Sequence, residues 1–325
     1  MYPLSNRRIR SSPILRQLSK EVHLDVGKLI QPLFVVEGIK EKESIPGLTK
    51  VFRETPESLL KQVESDLENG VNSFLLFGVP ASKSEKDFRY DFTASQLASL
   101  KKRFGSDIFL SVDVCLCSYT THGHCGILND ANDHVVNQLS VQALADAALA
   151  YAQAGADCVA PSDMMDHRIR AIRETLDKHS LTETLIMSYS AKFNSGFYGP
   201  FRAAADSAPK GHLKIKDRAT YQIDPAHPSD AYRCSLRDME EGADILMVKP
   251  GLPYLDVLAD LSKRIPLPWA VYEVSGEFAA IELMQEKGLV DGKRAHLESW
   301  TAFFRAGAEM VITYGARSAK DWMKE

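Results

Sequence analysis

A unit of amphipathic helix, glycine and short apolar strand recurs along this chain, and no other feature restricts its fold as strongly. Thr55 and Pro56 supply a helix N-cap and first helical position. Leu60, Val63 and Leu67 then line one face, and Gly70 closes the helix ahead of a strand over 72–77. Ser140 is expected to cap a helix carrying Leu144, Ala147, Ala148 and Tyr151 on one face, followed by Gly155-Ala156-Asp157 and a strand over 158–160. Gly242-Ala243-Asp244 leads into Ile245 to Lys249, and Gly307-Ala308-Glu309 into a strand over 310–314. Each junction joins a helix-terminating glycine to a buried strand. Apolar runs at 29–36, 107–114, 185–189 and 269–274 bring the expected strands to eight. Helical patterns separate most of them, so parallel pairing through right-handed crossovers is expected, and eight such units close into a (β/α)8 barrel. A doubly wound open sheet would need a glycine-rich phosphate turn after an early strand, and the sequence has none.

The length of 325 residues suits one such barrel over 29–325. Residues 1–28 carry Pro3, Pro13, Arg7, Arg8, Arg10, Arg16 and Lys20 without a sustained period, and read as an N-terminal arm, either a solvated extension or a wrap around a neighbouring subunit. A formal charge of -4 gives no global attraction to nucleic acid or an anionic membrane. No segment reaches the roughly 18 consecutive apolar residues of a membrane span, and no signal pattern opens the chain, so a cytoplasmic location is expected. Of five cysteines, three fall within 115–125, a spacing that suits a metal site in a reducing compartment better than a disulfide framework.

In a barrel of this kind chemistry sits at the C-terminal strand ends. The strand Ile245 to Lys249 ends on a lysine because Pro250 removes a donor and Gly251 permits a turn. That amine either snorkels to solvent or is desolvated until it is neutral, the form that attacks carbonyls to make a Schiff base. A second lysine, Lys192, ends the strand that begins at 185, and two amines facing one another across a barrel mouth would lower each other's pKa. The third strand runs into Asp113 and then Cys115, Cys117, His122, His124 and Cys125, soft sulfur and imidazole donors in one loop for which zinc is the natural guest. Three thiolates would leave a fourth position open, the catalytic arrangement. Other strand ends offer Ser162 and Asp163, Tyr272 and Ser275, and Tyr314. The long connection over 193–222, with Tyr198, Arg202, Arg218 and Gln222, reads as an active-site lid whose arginines suit a substrate carboxylate.

The segments 113–126, 160–166, 187–202, 247–251 and 272–278 resemble the porphobilinogen synthase (5-aminolevulinate dehydratase) family of the zinc-cysteine type. The spacing Cys-x-Cys with a third cysteine eight residues on, Ser-Tyr-Ser-Ala-Lys-Phe, and Met-Val-Lys-Pro-Gly in this order carry the resemblance. It implies a (β/α)8 lyase of tetrapyrrole and haem biosynthesis that condenses two 5-aminolevulinate molecules, with loss of two waters, to porphobilinogen. By the same resemblance Lys249 forms the Schiff base on the propionate side and Lys192 on the acetate side, and Cys115, Cys117 and Cys125 hold a catalytic Zn2+. Arg202, Arg218 and Gln222 bind the acetate-side carboxylate, Ser275 and Tyr314 the propionate-side one. Asp113 and Ser162 contact the substrate amine, with Asp163, Tyr198 and Tyr272 lining the site. The family also implies a homo-octamer. Two positions depart from its pattern: Cys234 replaces a glutamate that serves an allosteric Mg2+ in some members, and Thr220 replaces a cysteine that in others joins His124 on a second zinc.

Two other readings make use of parts of this pattern. A class I aldolase is also a barrel with a Schiff-base lysine, but one lysine would suffice and three thiolates would be superfluous. A zinc-dependent binding module whose basic arm touches nucleic acid would bind DNA with strong salt dependence.

Overall fold

The computed structural model of the chain describes residues 7–211 and 214–324. Residues 1–6, with Pro3 of the arm, and residues 212 and 213 of the expected lid lie outside the described residues. The strands are β1 (Leu29–Val36), β2 (Glu43–Ile45), β3 (Leu48–Glu54), β4 (Ser73–Val79), β5 (Phe109–Val114), β6 (Cys158–Pro161), β7 (Leu185–Lys192), β8 (Ile245–Lys249), β9 (Trp269–Tyr272) and β10 (Met310–Ile312). β1 and β4 to β10 pair in parallel in sequence order, and β10 returns to β1 through Leu29↔Val311 and Ile30↔Ile312, which closes an eight-stranded (β/α)8 barrel. All eight strands expected from the sequence are present. The unforeseen element is the hairpin β2–β3, which pairs with β1 at Phe34↔Arg53 and Val35↔Glu54, beyond the point where β10 leaves it.

Period-two alternation divides the apolar residues between two cores. On β8, Ile245 and Met247 face the barrel interior with Phe34, Leu75, Met187 and Tyr272, while Leu246 and Val248 join the layer between barrel and helices. Local signals place the helices. Thr55 caps Pro56–Glu68 by accepting from Ser58 N, and Ser58 returns the bond to Thr55 N, a capping box with Pro56 in its first turn. Ser140 is not a cap, contrary to expectation: the helix Asn137–Gln153 starts a turn earlier. Its hydroxyl donates to Val136 O (2.8 Å) and accepts from Ile127 N (2.9 Å), tying the cysteine loop to that helix. Within the arm, Ser12 caps a short helix, Pro13–Leu18, that leaves Ile14 and Leu18 exposed.

Behind β9 lies a buried ion cluster. His296 Nδ1 meets Glu273 Oε1 at 3.3 Å and Nε2 meets Glu282 Oε1 at 3.2 Å, between the rings of Phe278 and Trp322. Burial alone would lower the imidazole pKa, but bonds to the two carboxylates outweigh it and raise it from 6.5 to about 9. The cluster's contribution to stability is therefore complete below pH 6.5 and is lost as pH rises through about 9. Thermal unfolding of the wild type and His296→Gln should show a gap in Tm at pH 6.5 that narrows by pH 9.5. A gap independent of pH would refute the charged cluster.

Candidate active site

Alternation alone aims Asp113 on β5, Ser162 just past β6, Lys249 on β8, Tyr272 on β9 and Tyr314 just past β10 into the barrel mouth. Lys192 needs more. Strict alternation from Met187 and Tyr189, which face inward, would turn Lys192 outward. The register of β7 against β8 shifts by one residue between Ser188 and Ala191, a β-bulge. Ser190 and Ala191 both face outward as a result: Ser190 Oγ accepts from Ser235 Oγ (3.0 Å) and Ala191 joins the outer core. Lys192 thereby returns to the inner face as the register partner of Lys249. The two amines are neighbours on adjacent strands, and do not face one another across the mouth as expected.

Lys249 is 4% exposed. Its Nζ lies 3.9 Å from the ring centre of Tyr272, 5.0 Å from Tyr189, 5.1 Å from Phe201 and 5.5 Å from Tyr198. Ring faces favour an ammonium by about 0.5–2 kcal/mol, whereas burying an ion costs several. Desolvation wins, and with the nearby Lys192 charge it holds the Lys249 pKa well below its ordinary value, against the opposing pull of Asp113. This amine does not snorkel. Lys192, also buried, donates from Nζ to Ser162 O. Burial pushes the Asp113 carboxyl up to about 6, although Lys192, Ser162 and Lys249 all favour its charged form. Asp163 likewise rises to about 6 through burial, opposed by Arg168, whose Nε is 3.6 Å from Oδ2.

The cysteine loop turns tightly after β5. Tyr119 N and Thr120 N donate to Leu116 O, and Thr120 Oγ1 donates to His124 O (2.9 Å), which brings Cys125 back onto Cys115 and Cys117. The three buried sulfurs lie within 4.8 Å of one another, with Cys115 and Cys117 Sγ 3.3 Å apart, and none is in a disulfide. Among the described residues this is the cluster that could hold a metal ion, and it contains neither histidine. His124 is committed elsewhere, to Tyr221 OH (3.0 Å) and Ile215 O (3.3 Å). Gly123, at φ +75, is required here because a Cβ would meet Ala208 O at 2.4 Å. Cys234 lies on the helix Pro228–Glu240, outside this cluster.

The expected lid contributes a short helix, Gly199–Ala204, that carries Arg202. Arg218 is buried, its Nη2 donating to Gly123 O (3.0 Å) and Ser207 O (2.6 Å). Burial would lower its pKa, but Cys125 and Cys117 beside it raise it. Arg202 Nε, Arg218 Nε and both amide atoms of Gln222 are buried without a hydrogen-bond partner. Unpaired polar atoms of this kind are costly unless a ligand satisfies them, and the N–H donors of two guanidinium groups and an amide suit a carboxylate. Tyr198 is less free than expected: its hydroxyl donates its proton to Phe193 O (2.7 Å), which leaves it only the acceptor oxygen and the ring. Ser275 Oγ accepts from Phe201 N (2.9 Å) and keeps its own proton to donate, while Tyr272 and Tyr314 hydroxyls meet at 3.1 Å.

Tyr189 and Phe201 were not singled out by sequence reasoning. The Tyr189 ring stands 5.0 Å from Lys249 Nζ and 5.5 Å from Lys192 Nζ, and its buried hydroxyl has no partner. Its inward alternation with Met187 was the available signal.

Comparison with known proteins identifies relatives along nearly the whole chain. The family model described as delta-aminolevulinic acid dehydratase matches residues 4–322. The delta-aminolevulinic acid dehydratase of Bacillus subtilis (strain 168) is 39% identical over 324 residues, covering 98% of each chain. That of Helicobacter pylori (strain J99) is 42% identical over 329 residues, again with 98% of each covered. The crystal structure of delta-aminolevulinic acid dehydratase (porphobilinogen synthase) from Toxoplasma gondii ME49, in complex with the reaction product porphobilinogen, superposes with a TM-score of 0.94 at 41% identity, covering 99% of this chain and 92% of that one.

Proposed function

The chain belongs to the delta-aminolevulinic acid dehydratase family, and from that premise we propose how its own residues carry out the synthesis of porphobilinogen from two molecules of 5-aminolevulinate. The protein is a lyase of porphyrin biosynthesis. The observation that most favours a two-amine mechanism is the pairing of buried Lys192 and Lys249 on adjacent strands, with the Asp113 carboxylate beside both.

Lys249, its pKa lowered by burial, attacks the ketone of the propionate-side substrate, and Lys192 that of the acetate-side substrate. Each attack forms a C–N bond and expels the ketone oxygen as water. The protonated imine is a better electron sink than the ketone, so it eases loss of the neighbouring proton and accepts the new carbon–carbon bond. Elimination after the carbon–carbon bond forms frees one lysine. Attack of one substrate's amino group on the other imine carbon closes the ring and expels the second lysine, and proton loss completes the pyrrole. The net loss is the two waters released when the imines formed. Holding both substrates on neighbouring strand ends makes these bond formations effectively intramolecular. Asp113 and Ser162 receive the substrate amine, Arg202, Arg218 and Gln222 the acetate-side carboxylate, and Ser275 and Tyr314 the propionate-side carboxylate. Asp163, Tyr189, Tyr272 and the ring of Tyr198 complete the walls.

Cys115, Cys117 and Cys125 fit a soft divalent ion by donor type, burial and mutual distance. We assign zinc, which would supply Lewis-acid polarisation on the acetate side. An allosteric magnesium is not part of this proposal, given Cys234. The residues from 193 to 222 act as the lid, and the arm over 1–28 makes the contacts of a homo-oligomer, an octamer by family likeness. Among the described residues no helix is long and apolar enough to cross a membrane, and we place the enzyme in the cytoplasm.

Incubation with 5-aminolevulinate, zinc and a thiol should yield a pyrrole detected by Ehrlich colour. A colourless result with folded, zinc-loaded protein would sink the reading in favour of a carbonyl-lysine enzyme of another kind.

A further inference from the structure

Glu273 is fully buried immediately after Tyr272, and it enters no step above. Its Oε2 accepts from Trp300 Nε1 (3.0 Å) and from Thr313 Oγ1 (2.5 Å), while Oε1 faces His296. Thr313 immediately precedes Tyr314, and its hydroxyl also accepts from Gly315 N (3.1 Å). Alternation makes the arrangement symmetrical about the barrel wall. On the outer side Glu273 and Thr313 join the ends of β9 and β10, and on the inner side Tyr272 and Tyr314 meet through their hydroxyls at 3.1 Å. The backbone agrees: Glu273 N donates to Ile312 O (2.9 Å) and Thr313 N to Ile30 O (3.1 Å). Glu282, on the far side of His296, belongs to the helix Ser275–Glu286, whose first residue is Ser275.

We propose that Glu273 is a positioning residue for the propionate-side carboxylate: acting through Thr313 and His296, it fixes the strand ends and helix start so that Tyr314 and Ser275 converge on one anion. The inference rests on the function proposed above. Apolar side chains would fill this space at less desolvation cost, and a carboxylate on β9's end with directional bonds to the end of β10 and to the helix Gly292–Arg305 supplies register, which apolar packing specifies poorly.

The test uses full-length, zinc-loaded enzyme and two probes, 5-aminolevulinate and levulinate, the same keto acid without the amine. Thr313→Val removes the hydroxyl at nearly constant shape, and Thr313→Ser keeps it. In Thr313→Val, the levulinate concentration that half-saturates borohydride trapping and the KM for 5-aminolevulinate should both rise about tenfold, the size of one lost hydrogen bond. kcat should stay within about threefold, as expected for loss of uniform binding. Thr313→Ser should restore both values to within about twofold of wild type. Glu273→Gln serves if Thr313→Val does not fold, with the same expected rise. Unchanged half-saturation, a fall in kcat at constant KM, or a serine variant as impaired as the valine one would overturn the proposal. A wild type that neither traps levulinate nor forms a pyrrole would overturn the functional reading itself, before any variant is made.

Discussion

Lys249→Ala is expected to abolish covalent trapping of 5-aminolevulinate by borohydride and to lower porphobilinogen formation by at least about a thousandfold, in line with the loss of other covalent nucleophiles. Lys192→Ala should also stop turnover, yet retain substantial trapping. The asymmetry follows from what surrounds each amine. The neighbours of Lys249 are four ring faces that exclude water, and desolvation keeps it well below the ordinary lysine pKa. Its lowered pKa favours the neutral, nucleophilic form. Lys192 already donates to Ser162 O, a bond that must be broken before the amine can attack. First capture is therefore expected at Lys249. Mass spectrometry of the reduced adduct, with the modified peptide sequenced, reads the result directly. Equal trapping in wild type and Lys249→Ala would overturn the assignment of the primary amine, and trapping lost equally in both lysine variants would mean that the two act only as a pair.

The barrel was legible because the helix–glycine–strand junction is local: Gly70, Gly155, Gly242 and Gly307 all take positive φ at helix ends, and each is followed by a buried strand. The inward aim of Asp113, Ser162 and Lys249 was legible for the same reason, since a period of two needs no tertiary information. Lys192 shows where that stops. Its placement depends on one extra residue in β7, and a bulge is decided by pairing with β8 and by Ser190 turning to Ser235, neither of which has a signature in the run 185–192. The hairpin β2–β3 escaped because residues 43 and 44 are exposed and only Ile45 of its first strand is buried, which leaves no alternation to detect. The Ser140 reading failed through a true ambiguity: a serine can cap a helix or bond back to the carbonyl four residues earlier, and here Val136 O and Ile127 N were available to it. The cysteine cluster was the most readable part of the site, its three donors lying within one loop. The lid residues were readable as types only, and their unpaired buried atoms appear once the lid is folded onto the cysteine loop.

Removal of the metal should be the other large effect. Dialysis against a strong chelator with a phosphine reductant should release about one zinc per subunit and reduce activity to a few per cent or less, and added zinc should restore it. The three sulfurs require this dependence to be steep. In the empty cluster burial raises the Cys115 thiol well above its ordinary pKa. Cys117 is at about 11: Cys115 lowers it, while Cys125 and burial raise it. Bonds from both lower Cys125, while the two raised thiols keep at least two protons on the cluster at neutral pH. A metal binds thiolates, so binding must expel those protons, and the apparent affinity should tighten by at least about a hundredfold per pH unit between 6 and 8. Competition against a chromophoric chelator at several pH values measures the slope. Cys125→Ser, which replaces the thiol of lowered pKa with a hydroxyl that stays protonated, should lose the tight site altogether while the barrel still folds, as far-UV circular dichroism would show. Full activity after exhaustive chelation, or zinc bound as tightly in Cys125→Ser as in wild type, would remove the metal from the cysteine cluster and leave the two lysines to work without it.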